Sequence, residues 1–186
     1  MTTDQTIDVA IIGGGPAGYA AAIYAARANL TTTVFEQGMS GGQIATSNEI
    51  ENYPGIPLLT GAELGERFQQ HAEGLGARVE WSMVTGVDYD ADAAQFTIHH
   101  DMGDTAAKSV IACMGATPRP AGFVGEDTYR GRGVSYCATC DGMFFRGKQV
   151  FVIGGGNSAC EEALFLSDIA SSVTIVLRRD QFRAPE

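Results

Sequence analysis

The sequence is poor in basic residues, and this shortage excludes two kinds of partner. Only 12 Lys and Arg residues stand against 22 Asp and Glu, which gives the 186-residue chain a formal net charge of -10. A chain with this excess of negative charge is not expected to bind nucleic acid or an anionic membrane surface. Small molecules and other proteins remain as the expected partners.

Long apolar runs and an export signal are also missing. The longest apolar runs, at residues 9–12 and 19–26, end in glycine or charge, well short of the roughly 20 residues that cross a bilayer. Residues 1–8 lack the basic start, apolar core and small-residue cleavage site of a secretory signal. We therefore expect a chain that has no membrane span and works in the cytoplasm.

Glycine, by contrast, is abundant. The chain has 24 glycines, nearly twice the average usage of about 7%, and this excess predicts tight turns and close approaches of the backbone. A hydrophobic content of 45% is typical of a chain that buries a core. The length fits one to two domains.

The order of the predicted elements is typical of an α/β fold. A β-branched strand, a glycine turn, an alanine-rich helix and a second strand form a βαβ unit over residues 7–35. Such units build parallel sheets with helices on their faces. We predict strands at residues 7–12, 31–35, 77–81, 84–89, 95–100 and 108–113, helices at 17–29 and 61–73, and a linker at 115–125.

The strand, turn and helix at the start of the chain recur beyond that linker. The segment GGGPAG at residues 13–18 returns 141 positions later as GGGNSA at residues 154–159, again after a β-branched run and before a helical stretch. Residues 34–36, at the end of the second strand, fall on residues 175–177 under the same shift. Two such turns in matching context predict two Rossmann-like dinucleotide-binding domains.

Each glycine in such a turn has its own physical task. Gly13 allows the sharp bend, Gly15 lets the backbone approach a pyrophosphate, and Gly18 lets the helix pack closely on the strand. The second turn fills the same positions with Gly154, Gly156 and Ala159. In both copies the N–H groups of the helix would face the anion.

The two copies differ at the end of the second strand. Glu36 stands there in the first copy, where a carboxylate accepts hydrogen bonds from both ribose hydroxyls of FAD or NAD and repels a 2′-phosphate. The second copy has Leu177, followed by Arg178, Arg179 and Arg183. Because guanidinium groups bind phosphate in a bidentate manner, we expect this copy to prefer NADP over NAD. The alternative is an ordinary basic surface turn.

Two cysteines lie between the repeats, in the segment CATCD. Their spacing places Cys137 and Cys140 one helical turn apart, close enough to cycle between dithiol and disulfide. If a helix begins there, its N-terminus would stabilise a thiolate. Asp141 is a candidate to give or take a proton during exchange, or equally a carboxylate that caps the start of a helix.

A zinc site is not expected. The cysteine pair would need two further ligands, and the adjacent His99 and His100 fall in a predicted strand, where their side chains point to opposite faces. The other cysteines, Cys113 and Cys160, lie among apolar or small residues and are predicted to be buried packing residues.

The order of these motifs resembles the low-molecular-weight thioredoxin reductases, which are FAD- and NADPH-dependent pyridine nucleotide-disulfide oxidoreductases. The motifs GGGPAG, GGQ with ENYPG, CATCDG, GGGNSA with EE, and RRDQFR run through nearly the whole chain. CATCDG between two dinucleotide motifs is highly specific. The resemblance implies that electrons pass from NADPH to FAD, then to the cysteine pair, and then to the disulfide of thioredoxin.

The resemblance also implies roles for individual residues and a homodimer. Cys137 would attack the thioredoxin disulfide, Cys140 would lie nearer the flavin, and Asp141 would donate a proton. FAD would be held by Gly13, Gly15, Pro16, Ala17, Gly18, Glu36, Gly41, Gly42, Gln43, Asn52 and the backbone of Val84. NADPH would be held by Gly154, Gly156, Asn157, Ser158, Ala159, Arg178, Arg179 and Arg183.

Three features depart from the family pattern. Leu177 replaces a usual histidine before the paired arginines, and Cys113-Met114-Gly115 replaces an Ala-Thr-Gly segment near the flavin. The family's chains also continue well past residue 186. We expect residues 1–116 to form an FAD-binding domain without its C-terminal return segment, and residues 117–186 to begin the NADPH-binding domain that carries the cysteine pair. Because one βαβ unit rarely buries enough apolar surface to stand alone, we expect a truncated chain.

Two other functions fit the same residues. The dithiol could reduce a different small redox protein, as in the related flavoprotein subunit of alkyl hydroperoxide reductases. The chain could also be a catalytically silent nucleotide-binding fragment, which would keep the glycine turns but show no flavin spectrum and no thiol turnover.

Overall fold

The computed structural model describes residues 6–184. These residues divide into two compact units, an N-terminal unit that ends at Thr117 and a C-terminal unit that begins at Pro118. Every helix within the described range is too short or too polar to cross a bilayer.

The N-terminal unit is built on a six-stranded mixed sheet. Its strands are β1 (Ile7–Ile12), β2 (Thr32–Glu36), β3 (Arg78–Trp81), β4 (Val84–Asp90), β5 (Gln95–His100) and β6 (Gly103–Ala112). The strand order is β3-β2-β1-β6-β5-β4. Neighbours are parallel from β3 to β6 and antiparallel from β6 to β4. The parallel half brings the carboxyl ends of β1 and β2 to one edge, where the first glycine-rich turn lies.

Two helices cover one face of this sheet. The first, α1 (Pro16–Arg27), is rich in alanine, the strongest helix former. The second, α2 (Gly61–Gly74), begins at a capping box in which the Thr60 and Glu63 side chains each bond the other's backbone N–H. The core between helices and sheet contains Val9, Ile11, Tyr19, Ala22, Val34, Ala72 and Ala77.

The other face of the sheet is covered by its own antiparallel half. Ile98 of β5 is fully buried in one cluster with Ala10 and Phe35. The His100 ring lies 5.2 Å from the Phe35 ring, although β1 and β6 separate β5 from β2 within the sheet. The antiparallel strands therefore curl over the parallel ones, which are buried on both faces as parallel strands usually are.

The C-terminal unit contains a single βαβ unit after the cysteine segment. Its elements are α3 (Ala138–Asp141), a 3-10 helix (Gly142–Phe145), β7 (Gln149–Ile153), α4 (Asn157–Ser167) and β8 (Ser172–Val176). β7 and β8 pair in parallel. A small core of Ala138, Val152, Ala163 and Leu166 holds α3 and α4 against β7.

The α/β class with Rossmann-type parallel pairing is confirmed, but two predicted boundaries are wrong. The helix predicted at 17–29 ends at Arg27, because Asn29 takes the left-handed conformation, with φ at 59°, that terminates many helices. The strand predicted at 108–113 begins at Gly103. Residues 103–107 carry no β-branched pattern, and they become a strand because Gly103 pairs with His100 across a two-residue turn.

Candidate functional site

The first glycine-rich turn joins β1 to α1. Gly13 has a φ of 104°, in the left-handed region that favours glycine. A Cβ on Gly18 would lie 1.9 Å from the Gly13 carbonyl oxygen, so only glycine lets α1 start this close to the turn. A Cβ on Gly15 would meet nothing nearer than the Gly41 carbonyl oxygen at 4.0 Å. The backbone is therefore crowded where Gly18 packs against Gly13 and open at Gly15.

Within residues 6–184, no side chain caps the N-terminus of α1. Gly15 is the N-cap residue, Pro16 follows it, and the first turn contains no acidic residue. In α2, by contrast, Thr60 and Glu63 satisfy the first N–H groups. The first N–H groups of α1 thus remain available to an anion such as a pyrophosphate.

Glu36 ends β2 and closes on the same turn. Its Oε2 accepts a hydrogen bond from the Gly14 N–H at 2.6 Å, and its Oε1 accepts one from the Gly38 N–H at 2.8 Å. A carboxylate has about four lone-pair positions, so both oxygens can still accept from ribose hydroxyls. The predicted ribose-binding residue is held beside the turn by two backbone donors.

The loop that follows β2 returns to the turn. The Gly41 N–H donates to the Gly14 carbonyl oxygen at 2.8 Å. Gly41 and Gly42 have φ values of 104° and 57°, and a Cβ on Gly42 would lie 3.5 Å from the Gly15 Cα. The structure therefore brings both predicted loop glycines against the turn.

Two residues that hold this loop carry no motif signal. The Tyr19 hydroxyl is hydrogen-bonded to Ser40 Oγ at 2.7 Å, and Ser40 Oγ donates to Gln69 Oε1 at 2.6 Å. Tyr19 is fully buried, and this burial raises the pKa of its phenol. Nothing in the local sequence shows that the Tyr19 hydroxyl reaches the loop.

The remaining predicted flavin residues lie at different places. The chain reaches Val84 from Ser82, whose N–H donates to the Glu36 carbonyl oxygen at 3.0 Å, so Val84 begins β4 near the end of β2. Gln43, in a 3-10 helix (Gly42–Thr46), and Asn52, in the loop before α2, are both exposed. Their roles stay predictions.

The second glycine-rich turn repeats these features between β7 and α4. Gly154 has a φ of 145°, and its N–H donates to the Val176 carbonyl oxygen at 3.0 Å. Gly156 is the N-cap of α4, which again has no side-chain cap from the described residues. Among the atoms of residues 6–184, none lies within 4 Å of a Cβ placed on Gly156. The predicted residues Asn157, Ser158 and Ala159 form the first turn of α4.

The residues at the rim of the second turn differ in chemistry from those at the first. A Cβ on Gly155 would lie 3.6 Å from Leu177, which stands where Glu36 stands in the first turn but offers no acceptor. The Arg183 N–H donates to the Gly155 carbonyl oxygen at 2.7 Å, so the chain returns to the turn after β8. The three predicted phosphate-binding side chains, Arg178, Arg179 and Arg183, are exposed.

The predicted cysteine pair forms a disulfide. The Cys137 and Cys140 sulfurs are 2.09 Å apart, and Cys137 Sγ also accepts a hydrogen bond from the Cys140 N–H at 3.2 Å. Cys137 is the N-cap of α3. Cys140 is exposed and Cys137 is half-buried, so the couple is open to a partner at the surface of the C-terminal unit.

Asp141 is the last residue of α3. Its Oδ2 accepts a hydrogen bond from Ser135 Oγ at 2.5 Å, and its N–H donates to the Cys137 carbonyl oxygen at 3.1 Å. The helix-cap alternative for Asp141 is not supported, because the N-cap of α3 is Cys137 and the Asp141 side chain makes no cap to the 3-10 helix that follows.

The segment before the cysteines is anchored to a buried carboxylate. Glu126 accepts hydrogen bonds from the Tyr136 hydroxyl and from the N–H groups of Ala121 and Gly122, the latter two at 2.7 Å. The bond from Tyr136, followed by those of the loop, lowers the pKa of Glu126, while Glu126 raises the pKa of Tyr136. No spacing pattern marks Glu126, and only the fold identifies it.

The other histidines and cysteines form no metal centre within residues 6–184. His99 and His100 point to opposite faces as predicted, with side-chain exposures of 37% and 4%.

Cys113 and Cys160 were predicted to be buried, and this is wrong, because both are only partly buried. Cys113 follows the end of β6, and Cys160 lines an open apolar cavity of about 500 Å³ beside α4. Partial burial raises the pKa of the Cys113 thiol.

Comparison with known proteins shows similarity along the whole chain. The family model described as pyridine nucleotide-disulphide oxidoreductase matches residues 7–186. Thioredoxin reductase of Bacillus subtilis is 44% identical over 185 residues, which is 99% of this chain and 58% of the relative. A Pseudomonas fluorescens protein named glucosaminate ammonia-lyase is 45% identical over 177 residues, 95% of this chain and 55% of the relative.

A solved structure supports the same similarity. The crystal structure of thioredoxin reductase from Streptococcus pyogenes superposes with a TM-score of 0.90 at 43% identity, covering 98% of this chain and 59% of that one. The resemblance to thioredoxin reductases is thereby confirmed. The chain spans somewhat more than half the length of the relatives that it matches.

Proposed function

The chain belongs to the pyridine nucleotide-disulphide oxidoreductase family, and on this premise we propose that it acts as a thioredoxin reductase. Electrons would pass from NADPH through FAD and the Cys137–Cys140 couple to the disulfide of thioredoxin. The observation that carries the proposal is a surface-accessible cysteine disulfide in a chain with two uncapped dinucleotide turns. Relatives named thioredoxin reductase support it.

The residues of the first turn fit FAD. The open backbone at Gly15 and the uncapped start of α1 suit the pyrophosphate, and Glu36 suits the adenosine ribose. Gly41 and Gly42 complete the rim of this site, with Gln43, Asn52 and the Val84 backbone as the proposed outer contacts. When bound, FAD supplies the two-electron redox centre that couples a nicotinamide to a disulfide.

The residues of the second turn fit NADPH. The open backbone at Gly156 and the uncapped start of α4 suit a second pyrophosphate. Leu177 stands where Glu36 stands in the first turn, so this position offers no carboxylate that would repel a 2′-phosphate. Arg178, Arg179 and Arg183 supply positive charge and planar donors for that phosphate.

The dithiol form of the cysteine pair reduces the substrate by two exchanges. The Cys137 thiolate attacks one sulfur of the thioredoxin disulfide, which forms a mixed disulfide and releases the other substrate sulfur as a thiolate. The Cys140 thiolate then attacks Cys137 Sγ, releases the second substrate thiolate and restores the Cys137–Cys140 disulfide. The pair loses two electrons and the substrate disulfide gains them.

Asp141 is placed to handle the protons of this exchange. It is one residue beyond Cys140, and its backbone N–H is bonded to the Cys137 carbonyl. We assign it the transfer of a proton to a released thiolate, because its side chain serves no helix cap.

The relative named glucosaminate ammonia-lyase points to a second candidate activity. Release of ammonia from an amino sugar acid involves no net transfer of electrons, so it would not require a cysteine pair that cycles. The disulfide at Cys137 and Cys140 therefore favours the reductase. A homodimer, as the family resemblance implies, and a cytoplasmic location complete the proposal, and light scattering of the full-length protein tests the dimer.

The test is an anaerobic titration of the full-length protein followed by its visible spectrum. NADPH is expected to bleach a bound flavin at far lower concentration than NADH does. Cys137→Ser and Cys140→Ser are expected to keep the flavin but stop the reduction of thioredoxin, whereas the matched control Cys160→Ser keeps it. Absence of flavin, preference for NADH, or turnover that survives loss of either paired cysteine would contradict the proposal.

A further inference from the structure

One serine hydroxyl lies between the cysteine pair and Asp141. Ser135 Oγ donates to Asp141 Oδ2 at 2.5 Å and accepts a hydrogen bond from the Cys137 N–H at 3.1 Å. The Cys137 carbonyl oxygen lies farther from the same hydroxyl, at 3.3 Å. Because a hydroxyl has a single proton, the shorter contact to the carboxylate is the one that this proton favours.

Ser135 stands on a segment that is itself held in place. The next residue, Tyr136, donates its hydroxyl to the buried Glu126, and the Arg130 guanidinium lies 4.9 Å from the centre of the Tyr136 ring. These contacts restrict the segment on the side away from the cysteines. The serine therefore presents its hydroxyl from a fixed backbone.

Asp141 has little else to orient its side chain. Within the described part of the chain, Ser135 provides its only side-chain hydrogen bond, and no ion pair includes it. α4 packs against α3 and has three titratable groups, Cys160, Glu161 and Glu162. The segment of Asp141 itself contains the paired cysteines. Arg146 and Lys148 follow the 3-10 helix. None of these groups bonds the carboxylate.

We propose that Ser135 is a positioning residue, whose hydroxyl holds the Asp141 carboxylate beside the cysteine pair for its proton transfer. The inference rests on the proposed function. In the transfer the carboxylic O–H bond of Asp141 breaks, an S–H bond forms on the released thiolate, and the carboxylate that remains keeps the hydrogen bond from Ser135.

Loss of this hydrogen bond has a defined consequence. Without the hydroxyl the Asp141 carboxylate loses its only side-chain hydrogen bond in the described part of the chain, so nothing there fixes it beside the cysteine pair. The proton transfer should slow, which lowers kcat for thioredoxin reduction, while KM for thioredoxin should hardly change. A fall in kcat of about three- to tenfold is expected for the loss of one hydrogen bond.

The experiment compares Ser135→Val with Ser135→Thr in the full-length protein. The two side chains have nearly the same shape, but only threonine keeps a hydroxyl. In thioredoxin reduction by NADPH, kcat is expected to fall in the valine variant and to remain parental in the threonine variant, with KM for thioredoxin nearly unchanged in both. Ser167→Ala is the control, because in the described part of the chain the Ser167 hydroxyl bonds only the Leu164 carbonyl within α4.

A second comparison tests whether the serine acts through Asp141. In an Asp141→Asn background, Ser135→Val is expected to cause no further fall in kcat, since the group that it positions is gone. A visible flavin spectrum in every variant confirms that the protein has folded.

The outcomes separate the inference from the proposed function. An unchanged kcat in Ser135→Val, or an equal fall in Ser135→Thr, overturns the inference while the parent protein still reduces thioredoxin. A fall in kcat that persists in the Asp141→Asn background overturns it as well. If the parent protein neither binds flavin nor reduces thioredoxin, the proposed function fails and the inference falls with it.

Discussion

In both glycine-rich turns the first glycine donates its N–H to the end of the neighbouring strand, at 2.8 Å from Gly13 to Phe35 and 3.0 Å from Gly154 to Val176. The residues that cap the following helices also agree in conformation. Gly15 has φ and ψ of -84° and -175°, and Gly156 has -99° and 179°. The same backbone thus forms in two units whose sheets have six strands and two strands. The short motif determines the turn without help from the size of the sheet.

Burial of the adjoining strand, in contrast, depends on the sheet. Ile11 of β1 is fully buried between β2, β6 and the helices. On β7 the side chains of Phe151 and Ile153 are 65% and 51% exposed, because β7 pairs only with β8 within the described residues. Local sequence sets the path of the chain, and neighbouring strands set what is buried along it.

The two copies also differ in how closely the helix approaches the turn. In the first copy a Cβ on Gly18 would collide with the Gly13 carbonyl. In the second, the corresponding residue is Ala159, whose methyl group stands 3.1 Å from where a Cβ on Gly154 would be. α4 therefore starts far enough from its turn to admit one methyl group, and α1 does not.

The largest expected effect comes from substituting Gly18 by alanine, and the matched variant substitutes Ala159 by glycine. Gly18→Ala places a methyl group 1.9 Å from a backbone oxygen, so we expect the free energy of unfolding to fall by about 3 kcal/mol, with loss of flavin. Ala159→Gly removes a methyl group without a clash and should cost about 1 kcal/mol or less through helix propensity. Urea unfolding and flavin content of the full-length protein measure both. Equal effects of the two variants would show that the helices approach their turns alike.

These local distances explain what the sequence could predict. Gly13, Gly18 and Glu36 were placed correctly at the first turn, because a sharp bend, a close helix and a strand end are determined by neighbours along the chain. The disulfide between Cys137 and Cys140 was predictable for the same reason, since the two cysteines are three positions apart in the sequence.

Features that depend on distant partners were not predicted. The first half of β6 has no strand pattern of its own and forms by pairing with β5. Glu126 and Ser135 are ordinary polar residues until folding places Tyr136 and Asp141 opposite them. Hydrogen bonds of this kind have no period and no fixed spacing, so a single sequence does not reveal them.

The second prediction sharpens the chemical difference between the turns. Arg178→Ala removes a planar donor from the turn that lacks a carboxylate, so kcat/KM for NADPH should fall by about tenfold, the loss of one charge-assisted hydrogen bond of about 1.5 kcal/mol. The value for NADH should hardly change, because NADH has no 2′-phosphate. Arg119→Ala, which also removes an exposed arginine from the C-terminal unit, is the control. Equal losses for both nucleotides would remove the phosphate role from Arg178.

The smallest expected effect concerns a cluster of charged residues in the N-terminal unit. All three histidines of the chain lie in the N-terminal unit. His99 of β5 bonds Asp104 of β6 through Nδ1 and Asp88 of β4 through Nε2, both at 2.9 Å. These bonds, that to Asp104 first, raise the pKa of His99. On the same side of the sheet Lys108 is paired with Asp8.

The sign follows from the higher pKa in the folded state. The stabilisation by His99 is fully present below the pKa of the unfolded chain and is lost as the pH rises through the pKa of the folded one. His99→Asn should therefore lower the unfolding temperature at about pH 5.5 by about 1–3 °C and leave it unchanged at about pH 8.5. His71→Asn is the control, because no ion pair within residues 6–184 includes His71. A loss of the same size at both pH values would mean that His99 stabilises the three strands by packing and neutral hydrogen bonds rather than by its charge.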